Sequence, residues 1–395
     1  MENKLEKNIK KLYVYNIFTN IFFFVPTMVL FWQDNGLSIT KVMLLQSIFS
    51  IFTVILEIPS GYFSDIYGRK KTLFIASIAG FCAILAYSLG HNFYHFIIAE
   101  LFFAINVSFI SGTTSALLFD TLKNLEREYS YKKIWGSVIF YGMIALAISN
   151  VIGSFIGKIN FRYTFYAALP FLVLMIPFSL TLEEPVRVTP MQNKGYLKIL
   201  LKSIKTTIIT NKKLKWIVIY SGIIYAFNQT SLWLYQPYFK LTGLDIAYFG
   251  VVFALFQIVS AFSAKFAYKI ESKLGRAYSL ILLTILLSVS YFLMSNFIFL
   301  FSFSFCFIHQ FIRGFKKTVI TDYINNLTTS ELRATVLSTE SFVSRLFYAI
   351  IIPIFGWVAD IFSLIQALSI IGITSLLAGV IIIFILKKEN LLSHS

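Results

Sequence analysis

Charge is scarce in this sequence, and acidic charge is the scarcest. Asp and Glu together number 18 against 34 Lys and Arg, and charged residues make up 13% of 395 positions. A soluble domain carries about 25% charged residues. Hydrophobic residues make up 57% of the chain and include 43 Phe. This balance excludes a soluble globular protein, because most of these side chains need lipid as their solvent.

Cysteine and catalytic constellations are also scarce. Cys82 and Cys306 both lie in apolar runs, which argues against a disulfide framework or a Cys-based metal site. We find no P-loop, so ATP is not expected as a partner. The spans contain no His-x-x-x-His pair and no Ser–His or paired-Asp arrangement. We therefore expect neither an enzyme nor a bound cofactor or metal.

Long apolar runs are what the sequence does contain. A membrane-spanning helix needs about 20 predominantly apolar residues. Twelve such spans are predicted, at roughly 13–33, 42–62, 73–90, 94–118, 134–157, 161–182, 216–238, 246–268, 277–295, 297–320, 335–359 and 363–386. The expected fold is an all-α membrane protein with a first bundle at 1–183, a central connection at 184–213 and a second bundle at 214–395.

The basic residues are distributed unevenly about these spans. Two lie within spans, Arg313 and Arg345, and four lie on one side, Lys41, Lys158, Arg162 and Lys240. The other 28, Lys316 among them, are assigned to the side of the N-terminus. Cytoplasmic loops carry the excess of Lys and Arg, which predicts a multi-pass protein of the cell membrane with both termini in the cytoplasm. The net charge of +16 is spread over these short turns, so nucleic acid is not an expected partner.

The central connection has an amphipathic pattern. In residues 195–209 lysines recur on one helical face and Leu or Ile on the other. This pattern is typical of a helix lying on the inner leaflet, where lysines meet anionic lipid. A plain solvated linker is the alternative reading.

The two halves are weakly self-similar in the same direction. Matching positions stand at offsets of 207 or 202–203, namely Gly36 with Gly243, Gly68 with Gly275, Gly112 with Gly314, Asp120 with Asp322, and Gly153 with Gly356. A parallel repeat predicts two six-helix bundles related by an axis along the membrane normal. A binding site would then lie near the midplane.

The turn after the second span carries the most informative motif. Gly61 is expected to let another helix approach closely, and Gly68 to permit a tight turn with positive φ. Asp65 and Arg69 are four residues apart and can pair on one helical face. Asp120 offers Arg69 a second carboxylate. We predict that these residues form a cluster that favours one conformational state.

This turn resembles the signature loop of the major facilitator superfamily, G-x-x-x-D-x-x-G-R-[RK]. The segments 57–61 and 333–338, and the Leu-Phe-Asp end of the fourth span, resemble one branch that contains many drug and metabolite exporters. The resemblance covers the whole chain and implies transport by alternating access. The sequence departs from drug–proton antiporters at 100–104, which lacks an Arg, and at 153–157, which lacks a Pro. In the second-half copy of the loop, Arg276 is kept and is expected to pair with Asp322.

Polar residues inside the spans are the candidate transport residues, because buried charge in a membrane is costly and usually functional. Three are candidates for carrying a coupling proton: Glu57, Glu100 and His309. A structural salt bridge is the alternative for Glu57, and hydrogen-bonded packing is the alternative for His309. Seven are candidates for lining a substrate cavity: Asn20, Gln46, Thr53, Tyr225, Asn228, Arg313 and Arg345.

The predicted function is secondary active transport by alternating access, with proton-coupled efflux of a small hydrophobic or amphipathic molecule favoured. Uptake or facilitated diffusion of a metabolite is the alternative, with Arg313 and Arg345 as ligands for an anion. A membrane-embedded sensor that no longer transports is a third reading. The expected partners are a small-molecule substrate, protons and membrane lipid, and the expected state is a monomer.

Overall fold

The computed structural model describes residues 2–186, 211–329, 332–389 and 391, and these residues form helices and connecting turns without a β-strand. There are thirteen α-helices in these ranges. They are α1 (Glu2–Phe18), α2 (Met28–Asp34), α3 (Ile39–Tyr67), α4 (Arg69–Leu89), α5 (Phe93–Ile110), α6 (Thr113–Asn124), α7 (Tyr131–Ile159), α8 (Tyr163–Leu180), α9 (Lys212–Leu241), α10 (Phe249–Asn296), α11 (Cys306–Asn326), α12 (Arg333–Ile361) and α13 (Leu364–Lys388). The predicted amphipathic helix at 195–209 lies outside the described residues.

The helices carry the apolar runs that the sequence predicted. In the described ranges, eight helical segments are long and apolar enough to cross a membrane. One of them, Ile246–Asn296, is 51 residues long and covers two predicted spans. Gly275 interrupts its helical backbone with φ 72° and ψ 172°, so α10 turns between the two parts.

The first apolar segment is not the continuous helix that we predicted for 13–33. α1 ends at Phe18, and the helix resumes with a 3-10 turn at Val25–Thr27 that leads into α2. Pro26 has no N–H for the helix ladder and disfavours helical backbone before it. The side chains of Thr19 and Asn20 donate to the carbonyls of Tyr15 (2.9 Å) and Asn16 (2.7 Å) and so occupy acceptors near the break.

The irregular stretch between α1 and α2 packs directly on α7. A Cβ atom at Gly153 would clash with the carbonyl oxygen of Phe23, so only glycine fits there. Non-helical backbone at membrane depth is tolerated where protein buries it. Gly153 was predicted only as one half of a repeat pair, and this contact gives it a structural role.

Two other predicted spans are also interrupted. The segment 94–118 is divided at Ser111–Gly112, where Gly112 has φ 76°. The segment 297–320 begins as a 3-10 helix, Leu300–Phe305, and becomes α-helical only in α11. Hydropathy averages over about 19 residues, so it does not register a break of two or three.

The described residues form two compact units. The first comprises 2–36, 51–186 and 246–254. Within it α4 packs on α5 and α8, and α1 packs on α6 and α7. Its apolar core is built from Leu12, Tyr15, Leu73, Leu117, Leu118, Leu122, Met175 and Leu182.

The second unit comprises 37–50, 211–245, 255–329, 332–389 and 391. α9 is its central helix and packs on α11, α12 and α13. The start of α3 also belongs to this unit. There Ser47 Oγ donates to the carbonyl of Ala349 (2.6 Å), and Ser50 Oγ donates to that of Arg345 (3.3 Å).

The glycines of the repeat have matching conformations at two of the compared positions. Gly36 and Gly243 have φ of 79° and 78°, and Gly68 and Gly275 have φ of 107° and 72°. These positive values are costly for any residue with a Cβ atom. The predicted tight turn at Gly68 is therefore confirmed, and its repeat partner turns in the same way.

Candidate functional site

The residues around Arg69 form a connected cluster at the turn between α3 and α4. Arg69 Nη1 contacts Asp65 Oδ1 at 2.6 Å and Ser64 Oγ at 2.8 Å, and Arg69 Nε contacts Asp120 Oδ2 at 3.4 Å. The Arg69 side chain is 16% exposed, that of Asp120 23% and that of Asp65 61%. The predicted ion pairs are thus present. We refer to Ser64, Asp65, Arg69 and Asp120 as the Arg69 cluster.

Glu184, which the sequence analysis missed, completes this region. Its two carboxylate oxygens accept the backbone N–H groups of Arg69 (2.9 Å) and Lys70 (2.8 Å) at the start of α4. Free N–H groups and the helix dipole make a helix N-terminus a favourable place for a carboxylate. An acidic residue in an otherwise basic connection was the signal that could have identified it.

The second-half copy of the loop is built differently from our prediction. Arg276 lies over the Tyr323 ring, 4.9 Å from its centroid, and the Tyr323 hydroxyl donates to Glu271 (2.8 Å). Asp322 instead accepts a hydrogen bond from Asn326 one turn along α11 (3.1 Å). The expected Arg276–Asp322 pair is therefore wrong. Successive residues on a helix point about 100° apart, and Tyr323 takes the position that faces Arg276.

The expectation for Gly61 also fails in this conformation. No heavy atom of the described residues lies within 4 Å of the position that its Cβ would take, and the residue is exposed. Gly61 therefore does not mediate a close helix approach here. A family motif shows which residues recur, but it does not show in which conformational state each makes contact.

A buried ion pair in the second unit was missed by the sequence analysis. Lys316 Nζ of α11 lies 3.1 Å from Glu340 Oε1 of α12, and the two side chains are 13% and 18% exposed. The same oxygen accepts hydrogen bonds from Ser344 (2.9 Å) and from Ser221 of α9. Lys316 had been counted as a cytoplasmic loop residue because Lys317 follows it. Because it lies within α11, one lysine leaves the topological count and joins the candidate site.

The predicted cavity residues of the second half surround this pair. Tyr225 of α9 lies 5.2 Å below the Lys316 ammonium, measured to the ring centroid. It is also within electrostatic range of Arg313, Arg345 and Glu340. Three packed helices thus bring these groups together, and we refer to Tyr225, Arg313, Lys316, Glu340 and Arg345 as the cationic cluster.

Asn228 lies one turn beyond Tyr225 on α9. Its side-chain oxygen is buried and accepts no hydrogen bond from the described residues. A buried amide oxygen without a donor costs about 1–3 kcal/mol. Asn228 thus remains a candidate for contacting a solute.

The proton-coupling candidates lie in three different environments. Glu57 is exposed on α3. Glu100 of α5 is 2% exposed and interacts electrostatically with Tyr87 of α4. His309 is buried with Nε2 2.9 Å from Ser290 Oγ, and its ring packs 4.6 Å from Tyr291. Glu57 and Glu100 belong to the first unit and His309 to the second.

The remaining cavity candidates lie on α3 and beside α1. Gln46 and Thr53 of α3 are buried, 4% and 3% exposed, and the carbonyl of Thr53 accepts from Ser108 Oγ at 3.3 Å. Asn20 lies in the break after α1, where its amide donates to the carbonyl of Asn16. The polar residues of α3 from Gln46 to Thr53 are therefore buried by protein.

Asp360 of α12 is a further residue that the sequence analysis missed. Its carboxylate accepts the backbone N–H groups of Ile39 (2.9 Å) and Thr40 (2.8 Å), and so caps the first turn of α3. Gly356, one turn earlier on α12, packs against Thr40 and Met43 of α3. α3 and α12 are thus joined along the start of α3.

Comparison with known proteins decides the family. The model of the Major Facilitator Superfamily matches residues 15–346. The chain belongs to the major facilitator superfamily. Major facilitator proteins are transporters, and the long apolar helices described above make this chain a multi-pass membrane protein of that fold.

Two relatives of known sequence indicate the range of this family. The chain is 26% identical over 286 residues to an uncharacterized MFS-type transporter, MJ1560 of Methanocaldococcus jannaschii, covering 69% of this chain and 70% of that protein. It is 24% identical over 265 residues to the quinolone resistance protein NorA of Staphylococcus aureus, covering 64% of this chain and 66% of NorA. The match to NorA thus spans slightly less than two thirds of its length.

Solved structures of major facilitator transporters have the same fold. The nucleoside transporter NupG superposes with a TM-score of 0.79 at 11% identity, covering 98% of this chain and 99% of NupG. A POT family transporter in complex with 5-aminolevulinic acid gives a TM-score of 0.71 at 12% identity, covering 97% and 96%. At such low identity the likeness concerns the fold and not the transported solute.

Proposed function

We propose that this protein is a secondary active transporter that works by alternating access and exports a small amphipathic molecule in exchange for protons. Membership of the major facilitator superfamily carries the transport part of this proposal. The name of the relative NorA, a quinolone resistance protein, supports export. The proteins of similar fold, a nucleoside transporter and a POT family transporter, leave uptake as the second candidate.

The proposal includes twelve spans in two six-helix bundles, at 1–183 and 214–395, joined by the connection at 184–213. Eight helical segments of the described chain are long and apolar enough to be spans. The segment that is interrupted at Gly275 supplies two of the twelve. α9, α11 and the broken α1–α2 segment supply the rest, since their polar residues and interruptions lower their hydropathy. An even number of spans in a cell membrane then puts both termini in the cytoplasm, where the basic loops also lie.

Alternating access requires contacts that form in one state and break in the other. The Arg69 cluster is the arrangement that best fits this requirement. It combines a guanidinium, two carboxylates and a hydroxyl, all polar enough to exchange for water when the turn moves. We propose that the Arg69 cluster stabilises the state in which the cytoplasmic side is closed.

Proton coupling requires a carboxyl group that changes its protonation during the cycle. Glu100 fits this role best, because its carboxyl group is 2% exposed and burial makes the charged form more costly than the protonated form. Glu57 is the second candidate, because its exposed side chain can exchange protons with water. His309 has the weakest support, since it is enclosed by Tyr291 and Ser290.

The test is a transport assay in proteoliposomes with a panel of labelled drugs and metabolites, with and without a pH gradient. Export coupled to protons requires that an acidic interior, on the side corresponding to the cell exterior, drives accumulation into that compartment. Accumulation in the opposite direction favours uptake with protons. Equal movement with and without the gradient contradicts proton coupling.

A further inference from the structure

The cationic cluster carries more positive charge than the described residues neutralise. Arg313, Lys316 and Arg345 provide three cations, and Glu340 provides the one carboxylate that contacts any of them among the described residues. The formal excess is two positive charges on helices that we propose cross the membrane. Uncompensated charge is expensive inside a membrane and marks a pathway or a binding site.

The one carboxylate is already engaged. Glu340 Oε1 accepts from Lys316, Ser221 and Ser344, which come from all three helices that meet there. This arrangement neutralises Lys316 and leaves the two guanidinium groups with their full charge. Arginine suits the recognition of a planar carboxylate, because its N–H groups form a rigid fork.

The guanidinium groups can be reached by a solute. The side chain of Arg313 is exposed and that of Arg345 is partly exposed. Exposure to hydrocarbon would be costly for either charge, so we place both on a water-accessible face. Arg313 and Lys316 are three residues apart on α11 and therefore share a helix face.

Aromatic rings lie beside these charges. Tyr225 and Tyr348 pack edge to face with centroids 6.1 Å apart, and the Trp233 indole N–H donates to the Tyr348 hydroxyl at 2.7 Å. Tyr348 follows Arg345 by three residues and lies on the same face of α12. Rigid rings next to a cationic fork suit a flat apolar body that carries a negative group.

We infer that the cationic cluster binds the anionic group of the transported solute, and that this solute is an aromatic carboxylate. The carboxylate contacts Arg313 and Arg345, and the ring packs against Tyr225 and Tyr348. This inference rests on the proposed transport function, and it names the chemical class of the substrate.

Glu340 acts in this arrangement as an internal competitor for Lys316. Removing its charge frees Lys316 to contribute to the bound carboxylate, so Glu340→Gln should bind the anion more tightly. A purely structural ion pair predicts a less stable protein without tighter anion binding, because loss of Glu340 leaves a buried lysine without a partner and destabilises the fold. The sign of the effect therefore separates the two readings.

The experiment measures binding to the purified full-length protein in detergent by thermal stabilisation and by equilibrium dialysis. The probes are 1-naphthoate, its neutral isostere 1-naphthamide, and inorganic phosphate. We expect 1-naphthoate to bind and 1-naphthamide to bind at least about tenfold more weakly, the loss of one charge-assisted contact. Equal binding of acid and amide overturns the inference, as does tighter binding of phosphate than of 1-naphthoate.

The variants locate the binding. Arg345→Gln in the otherwise unchanged protein should weaken 1-naphthoate binding about tenfold. Lys316→Gln, made in the Glu340→Gln background, should weaken it by a similar factor. Lys317→Gln, which removes the same charge from the neighbouring exposed residue of α11, should leave it unchanged. Unchanged affinity in Arg345→Gln, or an equal loss in Lys317→Gln, overturns the site. If Glu340→Gln does not fold, Arg345→Gln against Arg345→Lys still decides, because the lysine keeps the charge and should retain part of the affinity.

These outcomes are independent of the coupling assay. Binding in detergent needs no gradient, so failure of proton-driven transport with intact 1-naphthoate binding contradicts only the proposed coupling. Transport of other solutes without 1-naphthoate binding contradicts only the inferred substrate class.

Discussion

Replacing Arg69 by Gln removes every side-chain bond that centres the Arg69 cluster. The contact with Asp65 contributes about 0–1 kcal/mol, because the Asp65 carboxylate is 61% exposed and screened by solvent. The contact with Asp120 contributes about 1 kcal/mol, since both side chains are mostly buried but the distance of 3.4 Å is long. The sum for these two ion pairs, about 1–2 kcal/mol, corresponds to about a 5–30-fold change in the ratio of two states. We predict that Arg69→Gln shifts the population toward the state with the cytoplasmic side open.

The matched control is Arg276→Gln, the same substitution at the repeat position. Arg276 contacts a tyrosine ring rather than two carboxylates. The Tyr323 ring is 2% exposed, and a cation–π contact contributes about 0.5–2 kcal/mol depending on its burial. Spin labels at Lys71 and Lys273, which are both exposed, would report the distance between the proposed cytoplasmic ends of the two bundles. A longer distance is expected in Arg69→Gln, which removes two ion pairs, and a smaller change in Arg276→Gln, which removes no ion pair among the described residues. Equal lengthening in both variants, or a lower Tm without a change in distance, would refute the reasoning.

Three further predictions concern topology, coupling and packing. A reporter that is active only in the cytoplasm should be active when fused after Ser395, and activity confined to an exterior reporter would contradict an even number of spans. Glu100→Gln should abolish proton-driven accumulation while leaving substrate exchange intact, and Glu57→Gln should reduce proton-driven accumulation less. Gradient-driven accumulation at the wild-type rate in both variants would exclude these carboxylates from the coupling mechanism. Gly153→Ala should lower the yield and Tm of folded protein, because its Cβ would meet the Phe23 carbonyl, whereas Gly61→Ala has open space and should not; similar Tm values for the two variants would show that the close contact is unimportant.

The family and the main turns could be predicted because they depend on local sequence. Gly68 and Arg69 stand at fixed spacing in one short turn, and the observed φ at Gly68 and the Asp65 ion pair follow from that spacing. The second glycine, Gly275, was predicted from the repeat and has a similar positive φ. Local conformation and pairs one helical turn apart need no knowledge of tertiary contacts.

The ion pair of the candidate site could not be predicted, because it depends on how three helices pack. Lys316 stands next to Lys317 at the end of an apolar run, and the pair looked like an ordinary cytoplasmic boundary. Glu340 lies 24 residues away on another helix, and Ser221 is more than a hundred residues away. Helical periodicity places a residue on a face, but it does not tell which residue of the next helix meets that face.

The interruption between α1 and α2 bears on how the protein is made. The first apolar segment emerges from the ribosome with an irregular stretch between α1 and α2, and the glycine that accommodates Phe23 lies far downstream in α7. Irregular backbone at membrane depth is tolerated where protein, rather than lipid, surrounds it. The first segment therefore reaches its final place only after α7 has been synthesised, so a membrane insertion intermediate that ends before Gly153 should hold its N-terminal segment loosely and be open to proteolysis there.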